Sequence, residues 1–413
     1  LLSCCAFVLS VFALITCFTD RPGTPASDHK PGQGENSQQL EEQRQQLLEK
    51  ADTLRRGYFY DEALELLENA DKKLVNDDVK QAIETCQQDK DSLVKYEGMP
   101  YHVFFHSLII YPELAFDGDN QANGIDDYMV TVDEYNKILQ SVYDKGYVLV
   151  DINDVWSEST NANGQPVMIR NTLYIPEGKK PLIFSYDDVN YYDYMLKDGF
   201  TYKLILGEDG LIWSYGLDPQ GNEVISQDLD AVTILDKFVR EHPDFSPFGA
   251  KGSLSLTGYQ GILGYRTNTD TKVWNDELEA NRLKECEAVK PIIAELKRTG
   301  WTFGSHTWGH IRLGTKSLES IQADTQRWFD EVGSLVGPTT ILFYPHGERP
   351  DGNDWQNTGP VFQYLQSQGF RVFASVGIES FSYIKKDICA VICDRLHPDG
   401  TTLRSKYVDQ RYG

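Results

Sequence analysis

The stretch PLIFSYDDVN (residues 181–190) decides the fold prediction, because it places an apolar run directly before two adjacent aspartates, Asp187 and Asp188. The apolar run predicts a buried strand. Neighbouring side chains of a strand point to opposite faces, so two adjacent carboxylates serve one site only where the strand ends in a loop. An isolated aspartate pair is usually a loop cap, but a charge that ends a buried strand is unfavourable unless it is paired or used. The stretch therefore indicates a functional strand end.

Apolar runs of the same kind recur along the chain and alternate with helical patterns. The other strand candidates are residues 252–256, 301–305, 340–344 and 371–375, and the helix candidates lie around 229–242, 277–298, 318–332 and 361–368. This alternation predicts parallel βα units, arranged either as a doubly wound sheet or as a barrel. In both arrangements the functional residues collect at the C-terminal ends of the strands. Polar residues follow the apolar runs in FGSHTWGH, FYPHG and VICDRLH, as a convergent site requires.

Two histidines four residues apart, His306 and His310, follow one of these predicted strands. On a helix, side chains four residues apart share a face, so the two imidazoles could bind one metal ion. A single H-x-x-x-H is a weak signal, because structural histidines are common. Together with one carboxylate, however, the pair supplies two nitrogens and one oxygen for a divalent ion and leaves coordination positions for water, which is a catalytic set.

These motifs resemble those of the NodB-homology polysaccharide deacetylases, carbohydrate esterase family four. The family motif T-F-D-D-G corresponds to residues 185–189, and the motif H-[ST]-x-x-H is matched by residues 306–310 without change. The resemblance runs from about residue 100 to the end of the chain. It implies a distorted (β/α) barrel, with Asp187 as the catalytic base and Asp188, His306 and His310 as the metal ligands.

The chain departs from the family pattern at three places. Val189 stands where the family has glycine, so the turn after the aspartates must take another form. Phe343 replaces an arginine that orients the catalytic aspartate in the family, and Arg266 and Arg395 are the candidates to replace it. The family motif L-x-H is matched loosely by the sequence around His397, which the resemblance makes the candidate acid. The residues after Phe343 are the candidates for substrate or oxyanion binding: Tyr344, Pro345 and His346.

The activity that the resemblance implies is hydrolysis of N-acetyl groups on a polysaccharide, with release of acetate. The expected cofactor is a divalent metal, foremost Zn²⁺, with Co²⁺, Mn²⁺ or Ni²⁺ as alternatives. Peptidoglycan and poly-N-acetylglucosamine are the expected substrate types. Two other functions stay open: a metal-dependent hydrolase of another C–N amide bond, and a glycan-binding surface protein without catalysis.

Four segments are predicted in chain order. Residues 1–18 are apolar and uncharged, which predicts a cleaved signal peptide, an uncleaved membrane anchor or a lipoprotein signal ending at Cys17. Residues 19–38 are rich in Pro, Gly and Ser and predict a flexible linker. Residues 39–96 predict a tetratricopeptide-like helical hairpin, interpreted as a spacer or a protein-binding module. By the resemblance, residues 97–413 are expected to form the deacetylase domain. We expect an extracytoplasmic protein that is attached to the membrane through its N-terminal segment.

The charge balance restricts the partners. The chain has 39 Lys and Arg residues against 62 Asp and Glu residues, for a net charge of −23. Such a balance argues against a nucleic-acid surface and favours a neutral or weakly charged substrate, here an N-acetylated polysaccharide.

Several aromatic residues and histidines near the motifs have two interpretations. Tyr191, Tyr192, Trp308 and Trp355 could stack on sugars or belong to the core, and for the first three the sugar groove is favoured because they follow the motifs. For His102 and His106, packing or substrate contact is favoured over metal binding.

Overall fold

The computed structural model describes residues 33–269, 274–385 and 388–405. The predicted signal or anchor segment, residues 1–18, and the predicted linker as far as residue 32 lie outside the described residues. Within the described ranges, no helix combines the length and the apolar character that crossing a membrane requires.

The N-terminal unit has three helices rather than the two of the predicted hairpin: α1 (Gln33–Arg56), α2 (Tyr60–Glu68) and α3 (Asp77–Asp91). Helix α1 begins inside the segment predicted as a linker. The third helix is capped by Asn76, whose side chain accepts a hydrogen bond from the Val79 N–H. Val79 packs on Ala51 and Leu67. Helix α3 therefore covers the apolar face that a pair of helices would leave open.

The turn between α1 and α2 connects this unit to the rest of the protein. The carbonyl of Gly57 accepts a hydrogen bond from the N–H of Phe248 at 3.0 Å, and the two rings of Phe59 and Phe248 meet edge to face. Arg56 forms an ion pair with Asp244 at 3.2 Å. The three helices thus pack on the outside of the second domain.

The second domain is built on a nearly closed sheet of parallel strands. In the described part of the chain the main parallel strands are β1 (Tyr101–Phe105), β2 (Lys180–Asp187), β3 (Ser253–Leu256), β4 (Thr302–Ser305), β5 (Ile341–Phe343), β6 (Val372–Val376) and β7 (Ala390–Arg395). The short strand Tyr147–Leu149 also pairs in parallel with the first residues of β2. The main strands pair in chain order, and the antiparallel strand Phe381–Lys385 continues the sheet beyond β7. Strand β1 returns to the residue after β7, because Leu396 exchanges hydrogen bonds with the backbones of Phe104 and His102, both at 2.9 Å. The barrel is the arrangement adopted.

Helices cover the outside of the barrel. The first five connections between strands carry α4 (Val132–Asp144), α5 (Ala231–Glu241), α6 (Asp276–Arg298), α7 (Leu318–Trp328) and α8 (Pro360–Ser367). Helix α4 begins with a capping box, in which Thr131 accepts from the Glu134 N–H and Glu134 accepts from the Thr131 N–H. A π-helical turn, Phe329–Gly333, extends α7.

Short elements complete the described fold. The short helices are Pro112–Ala115, Ala122–Tyr128, Ile152–Val155, Asp193–Leu196, Ser334–Val336, Pro350–Asn353 and Gly400–Leu403. The remaining strands are Val94–Lys95, Tyr147–Leu149, Trp156–Thr160, Pro166–Arg170, Tyr174–Ile175, Lys203–Leu206, Ile212–Leu217 and Glu223–Ser226.

The alternation of side chains along β2 divides the core into two layers. Leu182, Phe184 and Tyr186 belong to the cluster beneath the helices, whereas Ile183 belongs to a second cluster with Phe343 and Val391 inside the barrel. The period of two therefore places Asp187 on the interior face, at the C-terminal end of the strand.

Candidate metal centre and active site

The two adjacent aspartates separate because the backbone turns between them. Asp187 is the last residue of β2, and Asp188 has a positive φ of 60°. This left-handed conformation is uncommon outside glycine, although Asp tolerates it better than most residues. Val189 does not have a positive φ and is buried. The family's glycine is therefore not needed here, since the conformational demand falls on Asp188.

The structure brings Asp188, His306 and His310 together. One donor atom from each of the three side chains lies within 4.8 Å of the other two. The Nδ1 of His306 lies 3.0 Å from the Phe343 carbonyl, which can only accept, so this ring donates from Nδ1 and presents Nε2 to the site. Two imidazoles and one carboxylate are a donor set that a divalent transition metal prefers. The residues present therefore fit such an ion.

The two histidines do not lie on a helix, contrary to the expectation from their spacing. Thr307 and His310 both have positive φ, and the ring centroids of His306 and His310 are 4.9 Å apart across a tight loop. Asp324, on α7, accepts hydrogen bonds from the backbone N–H groups of Trp308 and Gly309, each at 2.7 Å. This carboxylate, which the sequence motifs do not indicate, holds the loop in place.

Arg395 takes the place of the motif arginine that is missing at Phe343. It donates two hydrogen bonds of 2.8 Å to the two carboxylate oxygens of Asp187 and is fully buried at the end of β7. Its guanidinium lies between the rings of Phe104 and Phe343, at 4.1 and 4.6 Å from their centroids. Phe343 thus becomes one wall of the slot that orients the arginine.

Arg266, the other candidate, does not reach Asp187. Its guanidinium donates to the carboxylate of Asp193 at 2.7 Å and to the carbonyls of Tyr191 and Gln260. These hydrogen bonds stabilise a loop near the outer surface of the protein. The sequence could not separate the two arginines, because only the closure of the barrel brings β7 beside β1 and so places Arg395 next to Asp187.

The charges of the site keep both aspartates ionised at neutral pH. Burial raises the pKa of Asp187, but the positive charge and hydrogen bonds of Arg395, together with the neighbouring His306, outweigh burial and hold that pKa well below the ordinary value. Burial acts in the same direction on Asp188, and the histidines around it lower its pKa. The O–H of Tyr192 also donates to Asp188 at 2.6 Å. Both carboxylates are therefore available as acceptors or ligands.

His397 reaches the site from the opposite side, oriented by Asp399. Its Nδ1 lies 2.9 Å from the Asp399 carboxylate, and its ring stacks on Phe104 at 4.1 Å. Burial raises the pKa of Asp399, but its hydrogen bond with His397 and the histidine charge prevail and lower it to about 2. Because the Asp399 carboxylate can only accept, His397 donates from Nδ1 and presents Nε2 toward His106 and the groove.

His106 lies at the site as well, although the sequence favours only packing or substrate contact for it. Its Nδ1 is 3.1 Å from Nε2 of His397 and 3.0 Å from the Tyr128 carbonyl, and its Nε2 is 4.0 Å from the Asp188 carboxylate. Burial lowers its pKa to about 4, so the ring is neutral at pH 7. His102 is different: it is buried and pairs with the hydroxyl of Ser185 at 3.0 Å. The only sequence feature that could have placed His106 at the site is its position directly after β1.

Of the three predicted oxyanion residues, only His346 has an N–H group for the role. The N–H of Tyr344 donates to the Ala374 carbonyl at 2.8 Å, its side chain is fully buried, and Pro345 has no N–H. Among the described hydrogen bonds, none is donated by the N–H of His346. His346 has a positive φ of 58°, and its ring lies 4.4 Å from that of His310.

The site opens into a groove of about 930 Å³. Its lining includes Tyr128, Met129, Val376 and Ile378. The aromatic residues favoured as a sugar groove do not form it, since Tyr191, Tyr192 and Trp308 are buried. Tyr192 instead donates its hydroxyl to Asp188, and Trp355 is exposed.

Comparison with known proteins gives one family match. The sequence model of the family described as "Polysaccharide deacetylase" matches residues 271–369, which include His306, His310 and His346 but neither Asp187 nor Asp188. The match covers less than half of the chain. A search of curated proteins finds none that matches.

Two solved structures are similar to the chain at low identity. The Streptococcus pyogenes deacetylase PplD in complex with acetate has 13% identity and a TM-score of 0.41, with 78% of this chain and 99% of that chain covered. A polysaccharide deacetylase from Bacillus cereus has 12% identity and a TM-score of 0.37, with 74% and 65% covered. At such TM-scores neither likeness bears on the fold or the function. The family match supports a polysaccharide deacetylase domain of the NodB type, and with it a hydrolase that acts on carbon–nitrogen bonds.

Proposed function

We propose that the protein is a metal-dependent deacetylase that removes N-acetyl groups from an extracellular polysaccharide of the peptidoglycan or poly-N-acetylglucosamine type. The observation that carries the proposal is the convergence of Asp188, His306 and His310 beside a second carboxylate, Asp187, that Arg395 holds in place. The family match adds support for deacetylation.

The three convergent side chains would hold the metal, with Zn²⁺ as the best fit to two nitrogens and one oxygen and Co²⁺, Mn²⁺ or Ni²⁺ as alternatives. Such an ion supplies Lewis acidity toward water and toward the carbonyl oxygen of the acetyl group. Asp188 is held for ligation by the hydroxyl of Tyr192, and His306 by the carbonyl of Phe343. These outer contacts set the direction of the donor atoms.

The proton transfers are assigned to residues on the two sides of the groove. Asp187 is ionised and fixed by Arg395, so it can accept a proton from the attacking water. His397, oriented by Asp399, would donate a proton to the departing sugar amine. The N–H of His346 would stabilise the negative charge on the acetyl oxygen, and loss of such a donor typically weakens the transition state by about 2.7–4 kcal/mol. The products are acetate and a glucosamine-type sugar.

The location is part of the same proposal. The apolar sequence of residues 1–18 supports an extracytoplasmic protein attached to the membrane, where an N-acetylated polysaccharide is accessible. The N-terminal helices would act as a spacer, or as a contact for a protein partner.

The test is acetate release from N-acetylglucosamine oligomers and from peptidoglycan by the full chain, loaded with Zn²⁺ after chelation. We expect Asp187→Asn to reduce the rate by roughly 10²–10⁴-fold, the range for a general base. His310→Ala should lose both activity and bound metal. Asp133→Asn, an exposed aspartate on α4, is the matched control and should be unaffected.

Two results would reject parts of this proposal. If Asp187→Asn and His310→Ala both keep most of the activity, the assignment of the site is wrong. If the metal-loaded protein releases no acetate from either polysaccharide but hydrolyses small amides or imides, the substrate class is wrong.

A further inference from the structure

One arginine lines the groove, and neither the metal site nor the proton transfers use it. Arg312 lies in the loop after β4, two residues beyond His310, and its side chain is 56% exposed. Among the described residues that line the groove it is the only Lys or Arg, whereas the lining contains three aspartates: Asp187, Asp188 and Asp399. The groove therefore has one place where an anionic group of a substrate meets a fixed positive charge.

A buried carboxylate holds Arg312 in position. The Nη1 of Arg312 donates to an oxygen of Glu348 at 2.8 Å, and the Glu348 side chain is almost completely buried. Glu348 packs in turn on the backbone of Gly314, because a Cβ at that glycine would lie only 2.6 Å from its other oxygen. Ion pairs between two mobile surface side chains restrict each other little, but here one partner is fixed. A side chain that is already held loses less conformational freedom when a ligand binds.

Most of the hydrogen-bonding capacity of Arg312 is left for a ligand. A guanidinium carries several N–H donors in a planar fork, and among the described hydrogen bonds the Arg312 side chain donates only the one to Glu348. The remaining donors belong to a side chain that is more than half exposed and lines the groove. Such a fork matches the two oxygens of a carboxylate.

Arg312 lies near the residue that we assign to the acetyl oxygen. Its partner Glu348 follows His346 by two residues, and the rings of His346 and His310 are 4.4 Å apart. The loops after β4 and β5 thus bring the arginine to the side of the groove where the acetyl group is to be held. In an N-acetylated hexosamine, the acetamido group and the substituent on O3 are attached to neighbouring ring carbons. A carboxylate on O3 is therefore the anionic group nearest to the reacting bond.

The overall charge of the protein makes a single cation selective. At −23 the protein disfavours anionic molecules in general. A carboxylate bound elsewhere along the groove would meet Asp187 or Asp399, whereas one placed at Arg312 is paired. The substrate that fits these charges is a sugar with one carboxylate in a defined position, not a polyanion.

We propose that Arg312 is a specificity-determining residue, which binds a carboxylate carried by the N-acetylated sugar while the neighbouring acetamido group reacts. This inference rests on the proposed function and deepens it. It favours the peptidoglycan type of substrate, in which alternate sugars carry a lactyl carboxylate on O3, over a neutral polymer of N-acetylglucosamine. Arg312 takes no part in the proton transfers, so it changes which substrate reacts and not how it reacts.

The experiment uses two glycan strands that differ only in charge. Both alternate N-acetylglucosamine with N-acetylmuramic acid, and in one of them the lactyl carboxylates are converted to amides. Acetate release by the Zn²⁺-loaded full chain gives kcat/KM for each strand. We expect wild type to favour the strand with free carboxylates by about 10–100-fold, the usual range for hydrogen bonds to a charged group, and Arg312→Met to reduce that ratio to about one.

Two further variants test the cause of the preference. Arg312→Lys keeps the charge without the planar fork and should restore only part of the ratio. Arg240→Met is the matched control, because it removes an exposed arginine on α5 that is absent from the lining of the groove, and it should keep the ratio of wild type. An equal loss in Arg240→Met would overturn the inference, since the preference would then come from the overall charge.

Binding of the two strands, measured by calorimetry with the Zn²⁺-loaded protein, separates this inference from the proposed function. If neither strand releases acetate, but wild type binds the free carboxylate about tenfold more tightly than the amide and Arg312→Met does not, the role of Arg312 is supported while deacetylation fails. A wild type that treats both strands alike in both assays would overturn it. Equal losses on both strands in Arg312→Met would also overturn it, since the arginine would then only pair with Glu348.

Discussion

The floor and the rim of the groove are built in opposite ways. On the floor, Asp187, Arg395 and His306 are almost completely buried, and each has a directed hydrogen bond. On the rim, Ile378 and Tyr128 are exposed and make no described hydrogen bonds through their side chains. Buried charges must be paired, so the floor holds its atoms in one arrangement, whereas the rim only offers surface. Changes to the floor should therefore affect the reaction and the stability, and changes to the exposed apolar residues of the rim should leave both nearly unchanged.

Among the variants of the floor, Arg395→Ala should give the largest losses of stability and activity. Its removal leaves the buried carboxylate of Asp187 without its cation, which typically lowers the free energy of unfolding by about 3–5 kcal/mol. Urea denaturation measures the loss, and acetate release should fall with it. Arg298→Ala, which removes a half-exposed pair with Glu295, is the control and should change the free energy by less than about 1 kcal/mol. If both variants lose a similar amount of unfolding free energy, the buried pair of Arg395 and Asp187 stabilises the protein no more than a partly exposed pair does.

The ion pair between Arg395 and Asp187 also predicts how the stability of the protein changes with pH. Arg395 and the histidines lower the pKa of Asp187, so its contribution to stability is present above the ordinary carboxyl pKa and is lost as the pH falls through the lowered value. Acid unfolding of Arg395→Met should therefore begin at a higher pH than that of wild type, as followed by circular dichroism. An unchanged acid transition would contradict the pairing.

Asp399→Asn should reduce kcat strongly without unfolding the site. Asp399 caps the helix Gly400–Leu403 through the N–H of Thr402, and asparagine caps equally well. The amide could no longer accept from His397 with a charged oxygen, so kcat should fall by roughly 10²-fold, within the range of acid catalysis. Steady-state kinetics and a thermal melt distinguish this result from a loss of structure. Retained kcat would remove His397 as the acid.

Tyr192→Phe should weaken metal binding by about 10–100-fold, the usual effect of removing a partner of a metal ligand. The variant removes the hydroxyl that donates to Asp188. Competition with a chromogenic zinc chelator measures the affinity. Tyr265→Phe removes a hydrogen bond of 3.0 Å to the Leu204 carbonyl and should leave the affinity unchanged.

His106→Gln should give the smallest effect on the floor. It loses the contact of 3.1 Å with His397, and a single neutral hydrogen bond contributes about 1 kcal/mol, which corresponds to a fall in kcat of roughly fivefold. A much larger loss, measured by the same kinetics, would make His106 a central part of the floor rather than a support.

Much of the site could be predicted from the sequence because its residues stand in short local patterns. Asp188, His306 and His310 follow strand ends, and parallel strands bring such ends to one edge of the sheet. Their convergence follows from topology, although the helix inferred for the two histidines is a loop. Spacing alone does not reveal the backbone conformation, which here has positive φ at Thr307 and His310.

The sequence by itself determined the alternation of strands and helices and the residue types at the strand ends. Only the tertiary structure decided which arginine pairs with Asp187, which aromatic rings are buried, and that His106 lies beside His397. The reason is physical: these contacts join residues that are far apart in the chain, and they depend on barrel closure between β1 and β7. A sequence pattern records which face of its own strand a side chain occupies, but not what the neighbouring strand places against it.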